Sequence, residues 1–527
     1  MSTDTAVKNS TPTKARKRHA WPWAAFAGIV SAAVLLAVAE LLAALFARSA
    51  SPILAVGSVI VDIVPRPLKE LAITLFGETD KIALLAGVGL GAAVAAAVAG
   101  ILQYRLRPAG AVVLAIGGVL ATVAILTRTG AGALAWLPPV IGTAAGVFVL
   151  MFSTTKLRRW MTSAAADADT RGTDRRGFLL FTGLTAVGAV VVGVGARVLN
   201  ATSSSVAAAR DALRLPTART TVTVPEGANW ELPGLSPIIT PNADFYRVDT
   251  ALTVPNVDPT TWRLSIEGMV DTPIELSFDD LVNMGLDEYG VTLTCVSNEV
   301  GGGLVGNAIW TGVPIRDILR MAGVQSGADM VLSESVDGYT ASTPLGSLTD
   351  DNLDAIFAVA MNGEPLPFEH GFPVRMVVPG LYGYVSATKW VTKLTVTRFD
   401  QVEAYWTPRG YSAEAPIKMS SRVDTPKIGT PVTAGAITVA GMAWAQPIGV
   451  ATVEVSIDNG EWQPTTLSTP INDQSWVQWK YDWTAEKGTH YIAVRATDKQ
   501  GNVQIEDAAP IAPNGSSGWQ RTLVTVS

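Results

Sequence analysis

The sequence predicts a multi-domain chain: a helical membrane domain of five spans, a central α+β domain, and a C-terminal β-sandwich. Three observations carry that prediction. The 527 residues are 48% hydrophobic and only 16% charged, with a mean hydropathy of +0.31, too apolar for an ordinary soluble protein. The long apolar runs all lie before residue 200. After it, β-rich stretches alternate with short amphipathic ones to about residue 412, and strand pairs with turn signals follow. A net charge of −6 and an isoelectric point near 5.3 argue against nucleic acid as a partner.

Residues 1–20 form a basic tail, and 21–199 the membrane domain. Apolar runs cover 21–47, 82–103, 109–127, 133–152 and 177–199, each near the ~20 residues that cross a bilayer core. The weaker stretch 52–76, broken by Asp62, Pro65, Arg66, Pro67 and Lys69, reads as a pair of interfacial helices. Gly87-Val-Gly89-Leu-Gly91 suits small-residue helix packing. Glu40 is an intramembrane carboxylate of the kind that lines polar paths, but one acid near a span end is thin support for transport.

Lys14, Arg16, Lys17 and Arg18 precede the first span. Arg105 and Arg107 separate the second and third, and Lys156, Arg158, Arg159, Arg171, Arg175 and Arg176 the fourth and fifth. With those segments inside, the N-terminus is cytoplasmic and everything after residue 200 lies outside. Arg66, Lys69 and Lys81 oppose this more dilutely. Thr173-Asp174-Arg175-Arg176-Gly177-Phe178-Leu179 resembles a twin-arginine export signal; the plainer reading is inside-positive residues flanking a span.

Residues 200–235 read as a linker, 236–412 as the catalytic domain and 413–527 as the sandwich. Strands are expected over 261–267, 291–294, 330–332, 374–378 and 391–397, and helices over 278–284 and 315–321. In the sandwich, 450–457 and 491–496 alternate, with turns at Asp458-Asn459-Gly460 and Asp498-Lys-Gln-Gly501, in a domain of immunoglobulin-like size.

The chemistry concentrates at 293–312, where a strand delivers Cys295 into a glycine-rich loop holding Asn298 and followed by Trp310-Thr-Gly312. Cys295 is the only cysteine, so it forms no internal disulfide; by itself it reads equally as a buried core thiol or a functional one. Gly301-Gly-Gly303-Leu-Val-Gly306 fits the dinucleotide fingerprint formally, but no strand–helix–strand unit surrounds it. A hydrolase reading fails for want of a nucleophile elbow and of more than one central-domain histidine.

Downstream lie Asn362-Gly-Glu-Pro-Leu-Pro-Phe-Glu-His370-Gly-Phe-Pro-Val-Arg375, Pro379-Gly-Leu-Tyr-Gly383 and Lys389-Trp390; upstream lie Asn242, Phe245, Tyr246 and Arg247. Taken together with the Cys-x-x-Asn loop, this set resembles the molybdopterin domain of the sulfite oxidase family over residues 240–400. The part after 413, with Trp444 and Trp476, resembles that family's immunoglobulin-like dimerisation domain.

The resemblance implies an oxidoreductase holding molybdenum and molybdopterin, with Cys295 as the metal ligand, since molybdenum takes a soft, deprotonated thiolate well. It assigns Asn242, Tyr246, Arg247, Ser335, His370, Arg375, Ala387, Thr388 and Lys389 to the cofactor, and Arg247 and Tyr339 to catalysis beside Cys295. Singly, His370, Arg375 and Lys389 would read as surface or structural residues. One departure bears on substrate: Glu299 and Val300 stand where animal sulfite oxidases have an arginine pair. The expected reaction is therefore oxygen-atom transfer on a small oxyanion or a sulfoxide-type substrate. The three histidines, His19, His370 and His490, lie outside the spans, so the electron-transfer partner is a separate protein or a quinone. Membrane association and a homodimer are expected, nucleic acid is not. The rival reading is a membrane-tethered binding or sensor module that keeps the molybdopterin fold without turnover.

Overall fold

The computed structural model describes residues 20–46, 51–64, 80–127, 134–162, 168–200 and 203–527, which form two compact units divided at residue 202. The basic tail before residue 20 and the second half of the 52–76 stretch lie outside the described residues.

The first unit is helical: α1 (Trp21–Phe46), α2 (Pro52–Ile63), α3 (Asp80–Arg105), α4 (Ala109–Leu126), α5 (Leu137–Thr162) and α6 (Ala168–Asn200). All but α2 are long and apolar enough to cross a membrane. Large apolar side chains such as Val119, Leu120, Phe148, Leu184 and Val190 are exposed, as on a lipid-facing surface. Helices α1 and α3 cross in close contact. A Cβ at Gly28 would lie 2.0 Å from the Ala96 carbonyl oxygen, and one at Gly100 2.0 Å from that of Ala24, so only glycine fits either position. Among the described residues the packing role expected of Gly87, Gly89 and Gly91 is not observed; none lies within 4 Å of a Cβ at any of them. Glu40 plays a structural part, since its carboxylate accepts from Ser51 Oγ (2.8 Å) and from the Ile53 amide (3.2 Å) at the start of α2. The Arg175-Arg176 pair lies inside α6, and Phe178 is fully buried against Trp160, Ala24 and Leu157.

In the second unit, the segment read as a linker is firmly bonded. It opens with α7 (Ser203–Ala212), Asp287 accepts from the Thr220 amide and hydroxyl, and the Trp230 amide donates to Gln478 Oε1 (2.6 Å). Residues 213–235 therefore belong to the folded unit and are no free spacer.

The central domain has two mixed-order sheets. One runs β2 (Ile274–Ser277), β1 (Arg263–Gly268), β10 (Val391–Thr397), β5 (Met330–Ser335), β6 (Thr340–Pro344), with β1 and β10 parallel. The other runs β3 (Asp287–Thr294), β4 (Val305–Pro314), β7 (Ile356–Met361), β8 (Glu364–Pro365), with β9 (Arg375–Val377) also on β7. Helix α8 (Phe278–Asn283) starts at a capping box in which Ser277 and Asp280 bond reciprocally. Helix α9 (Ile315–Ala322) buries Ile315, Ile318, Leu319 and Ala322 on one face and ends at Gly323 with φ 68°. The expected strands and both helices are present, within a few residues at their ends.

Residues beyond 413 form two four-stranded sheets with a common apolar core: β11 (Ser420–Thr425), β12 (Gly435–Trp444), β16 (Val477–Ala485), β15 (Thr466–Leu467), and β14 (Gln463–Pro464), β13 (Val450–Ile457), β17 (Gly488–Asp498), β18 (Gln520–Val526). Met442, Trp444 and Trp476 leave that core to join the central domain's. The Trp476 indole N–H donates to the Ile238 carbonyl (2.8 Å), and its amide donates to Thr292 Oγ1 (2.8 Å). The sheet that carries Cys295 is thus sealed by the C-terminal domain.

Candidate active site

Strand β3 is buried on both faces over Gly290–Thr294, and its pairing with β4 fixes where the chain emerges at Cys295. The Cys295 amide donates to the Leu304 carbonyl (2.9 Å), the Asn298 amide to the Cys295 carbonyl (3.0 Å), and the Leu304 amide to Asn298 Oδ1 (2.8 Å). Asn298 therefore ties both arms of the loop together. The loop leads straight into strand β4, which removes the helix that a dinucleotide site requires. The Cys295 thiol is buried, and burial pushes its pKa up, with the Ser297 amide (3.4 Å from Sγ) opposing.

Cys295 lines an open cleft whose free space, solvent at its mouth included, is about 920 Å³. Also on its wall are Tyr246, Ser335, Tyr339, His370, Arg375, Ala387 and Lys389, which come from separate stretches of chain. Arg375, at the head of β9, is 5% exposed. Its guanidinium donates to the carbonyls of His370 (3.2 Å) and Met376 (3.3 Å) and lies 5.0 Å from the centroid of Trp310. Among the described residues it forms no ion pair with a carboxylate, and burial pulls its pKa down to about 10. Lys389 Nζ donates to Asp249 Oδ2 (2.8 Å) and the Glu369 carbonyl (3.0 Å). Burial, helped by the charges of Arg375 and Arg247, brings it down to about 8 against the pull of Asp249. The Tyr339 hydroxyl donates to the Tyr384 carbonyl (2.7 Å); burial, with Cys295 and Asp337 nearby, holds its pKa well above the usual phenol range.

Three expected site residues do not line the cavity. Asn242 donates to the Met361 carbonyl (3.2 Å) and accepts from Asn362, while its backbone carbonyl accepts a hydrogen bond from His370 Nε2 (3.1 Å). Thr388 is fully buried, its hydroxyl 2.7 Å from Ser333 Oγ. Arg247 is 40% exposed and donates from Nε to Asp249 Oδ2 (2.8 Å). Asp249 is a residue of the cavity wall that the sequence motifs do not include: its side chain, 4% exposed, binds both Arg247 and Lys389. No sequence motif signals it, because residues 247–249 lie in no strand or helix and the pairing with Lys389 forms only in the fold. Trp406, Tyr411 and Tyr384 form another unforeseen wall, with ring centroids 5.3 Å apart for Trp406–Tyr411 and 5.4 Å for Tyr384–Tyr411.

His370 is 3% exposed, and burial together with the Arg375 charge lowers its pKa from the ordinary 6.5 to about 4. Between those values the unfolded chain binds a proton that the native chain does not, so stability falls as pH drops from 6.5 toward 4. The cofactor-free protein should lose about 3 kcal/mol over that window at this residue. His370→Asn should flatten that part of the pH–Tm curve, followed by tryptophan emission; an unchanged slope would assign the effect elsewhere.

Residues 251–406 match the oxidoreductase molybdopterin binding domain. Mitochondrial sulfite oxidase of Homo sapiens is 32% identical over 340 residues, covering 55% of this chain and 62% of that protein. Sulfite oxidase of Gallus gallus is 30% identical over 321 residues, covering 52% of this chain and 69% of that protein. The chain belongs to the sulfite oxidase family. It spans 62% of the length of the human enzyme, and its membrane unit lies outside the matched domain. The solved sulfane dehydrogenase SoxCD from Paracoccus pantotrophus shares the fold, with a TM-score of 0.50 at 22% identity over 58% of this chain and 86% of that one.

With sulfite oxidase family membership comes the molybdenum cofactor, and the site fits it. Cys295 offers a soft thiolate donor at the cavity. The buried, carboxylate-free Arg375 would hold an anion such as a pterin phosphate, to which guanidinium is suited, with Lys389 in the same cluster.

Proposed function

We propose that this protein is a membrane-anchored molybdenum-cofactor oxidoreductase. It would transfer one oxygen atom with two electrons on a small oxyanion or sulfoxide-type substrate, in a catalytic unit outside the cytoplasm. The observation that carries this reading is one cavity lined by both the single cysteine and a buried guanidinium with no carboxylate partner among the described residues. The bound cofactor supplies the two-electron oxygen-transfer chemistry. Cys295 would ligate the metal, while Arg375, Lys389 and His370 hold the pterin and its phosphate; Asn242 keeps His370 in its Nε2-protonated form. Tyr339, protonated at neutral pH, would donate to developing negative charge by turning its single hydroxyl proton from the Tyr384 carbonyl (2.7 Å) into the pocket. Arg247 adds a permanent positive charge beside Asp249 near the same wall. Electrons pass to or from a separate carrier.

Arg247→Ala and Tyr339→Phe test these roles. Both should keep full molybdenum content while kcat/KM falls ~10²-fold on whichever of sulfite, nitrate or dimethyl sulfoxide the wild type turns over best. Loss of cofactor instead of rate would assign the residues to scaffolding, and near-normal turnover with full metal would remove both from the pocket.

The positive charge of Arg105, Arg107, Lys156, Arg158, Arg159, Arg175 and Arg176 supports a cytoplasmic N-terminus and an external catalytic unit. A reporter active only in the cytoplasm, fused after Ser527, should stay silent. Replacing Arg175 and Arg176 with Lys should leave the spans inserted but hold the folded unit inside; normal export of that variant would remove the twin-arginine reading alone. The paired four-stranded sheets support an immunoglobulin-like domain of dimerisation type at 413–527, and the mass of the detergent-solubilised chain checks the homodimer.

A further inference from the structure

The loop that presents Cys295 is gripped from outside by three side chains of the C-terminal domain. Arg422, on β11, has a side chain 9% exposed. Its Nη1 donates to the Gly302 carbonyl (2.8 Å), its Nη2 to Ser236 Oγ (2.9 Å) and its Nε to Asp424 Oδ1 (2.7 Å), with the Trp476 ring centroid at 5.6 Å. Ser516 Oγ donates to the Asn298 carbonyl (2.6 Å). Gln520, at the head of β18, lies beneath Gly301, where a Cβ would sit 2.6 Å from its side-chain amide; Gly301 also has φ 78°, so both conformation and space call for glycine. The Gln520 side chain is itself held by the Val423 amide (2.6 Å). Within the loop, Gly302 donates to the Glu299 carbonyl (2.8 Å) and Asn298 accepts from Leu304, the residue to which Cys295 is bonded. A displacement at any of the three grips therefore reaches Cys295 through one or two hydrogen bonds.

We propose that Arg422 and Ser516 are positioning residues for the metal ligand, so that the C-terminal domain sets the position of Cys295 Sγ before the cofactor binds. The proposal rests on the oxidoreductase reading for its purpose. The physical need is clear: three successive glycines from Gly301 to Gly303 give the loop wide backbone freedom, whereas a ligating side chain must be held to within a fraction of an ångström by its supporting bonds. Ordering the loop in advance moves that entropy loss out of the binding step. Arg422 is paired with Asp424, so it acts through geometry and adds no net charge near the thiol.

Because Cys295 is the only cysteine, alkylation by iodoacetamide reports on this loop alone. The full chain is made without cofactor, and thiol modification is timed. Ser516→Ala should speed alkylation roughly fivefold, one hydrogen bond's effect on a local opening equilibrium, and Arg422→Gln by about tenfold or more. Arg422→Lys should recover part of the difference. The holoproteins should keep their metal but change the line shape of the Mo(V) electron paramagnetic resonance signal. Arg521→Ala, which breaks only an exposed pair with Glu506, serves as control and should change nothing. If Arg422→Gln fails to fold, Ser516→Ala decides. A wild-type alkylation rate and spectrum in Ser516→Ala would overturn the proposal. A loosened loop in a chain that never takes up molybdenum would instead overturn the oxidoreductase reading and leave the grip itself standing.

Discussion

Cys295→Ser should empty the protein of molybdenum while leaving it folded. The thiol is buried and hydrogen-bonded through its sulfur to the Ser297 amide, so an isosteric hydroxyl fits without a cavity. Chemistry separates the two atoms. A thiol gives up its proton to a soft metal, whereas a serine hydroxyl is harder and far less acidic. Changes to outer-shell partners of a metal commonly cost 10–100-fold, so loss of a protein ligand should lower turnover by more than ~10²-fold. Metal analysis of the purified variant, with near-ultraviolet circular dichroism as the fold control, gives the answer. A variant with wild-type metal and turnover would place the ligand elsewhere.

The second large effect should have opposite signs in the two forms of the protein. Arg375→Met should abolish cofactor retention and yet stabilise the cofactor-free chain. In that chain the guanidinium is 5% exposed, has only two carbonyl acceptors and an indole face among the described residues, and its burial lowers its pKa to about 10. Replacing a buried charge that lacks a good partner by an apolar side chain of similar size is neutral or stabilising, by ~1–4 kcal/mol in comparable cases. Methionine can also rest against Trp310, as sulfur does on aromatic rings. If Arg375 holds the phosphate as proposed, the cofactor-bound form loses that donor, and apparent cofactor affinity should drop by at least ~10²-fold. Thermal melting of both forms checks the two signs. A variant less stable without cofactor would mean that Arg375 is structural, held by carbonyls and the indole alone.

Much of this protein was legible in its sequence because the relevant signals are local. Apolar length marks five spans without knowledge of their neighbours, and β-rich composition locates β10 and alternation β13 with their observed ends. The short motifs around Cys295, His370, Arg375 and Lys389 carry the resemblance to the sulfite oxidase family, and that resemblance implies the cofactor. What a residue packs against is not written that way. The spaced glycines of α3 promised helix contact, yet Gly28 and Gly100 make it, because only the crossing of α1 and α3 decides which small residues meet. The family resemblance puts Arg247 beside the metal. Its place against Asp249, shared with Lys389 across 140 positions, depends on how separate segments converge. The same holds for the aromatic wall of Trp406 and Tyr411 and for the grip of Arg422 on the Cys295 loop, separated by 120 positions from its acceptor. The sequence alone determined which groups the chain carries and which short elements present them. The tertiary structure decided which charges are neutralised and which loops are held, because burial and pairing arise only when distant segments exclude water together.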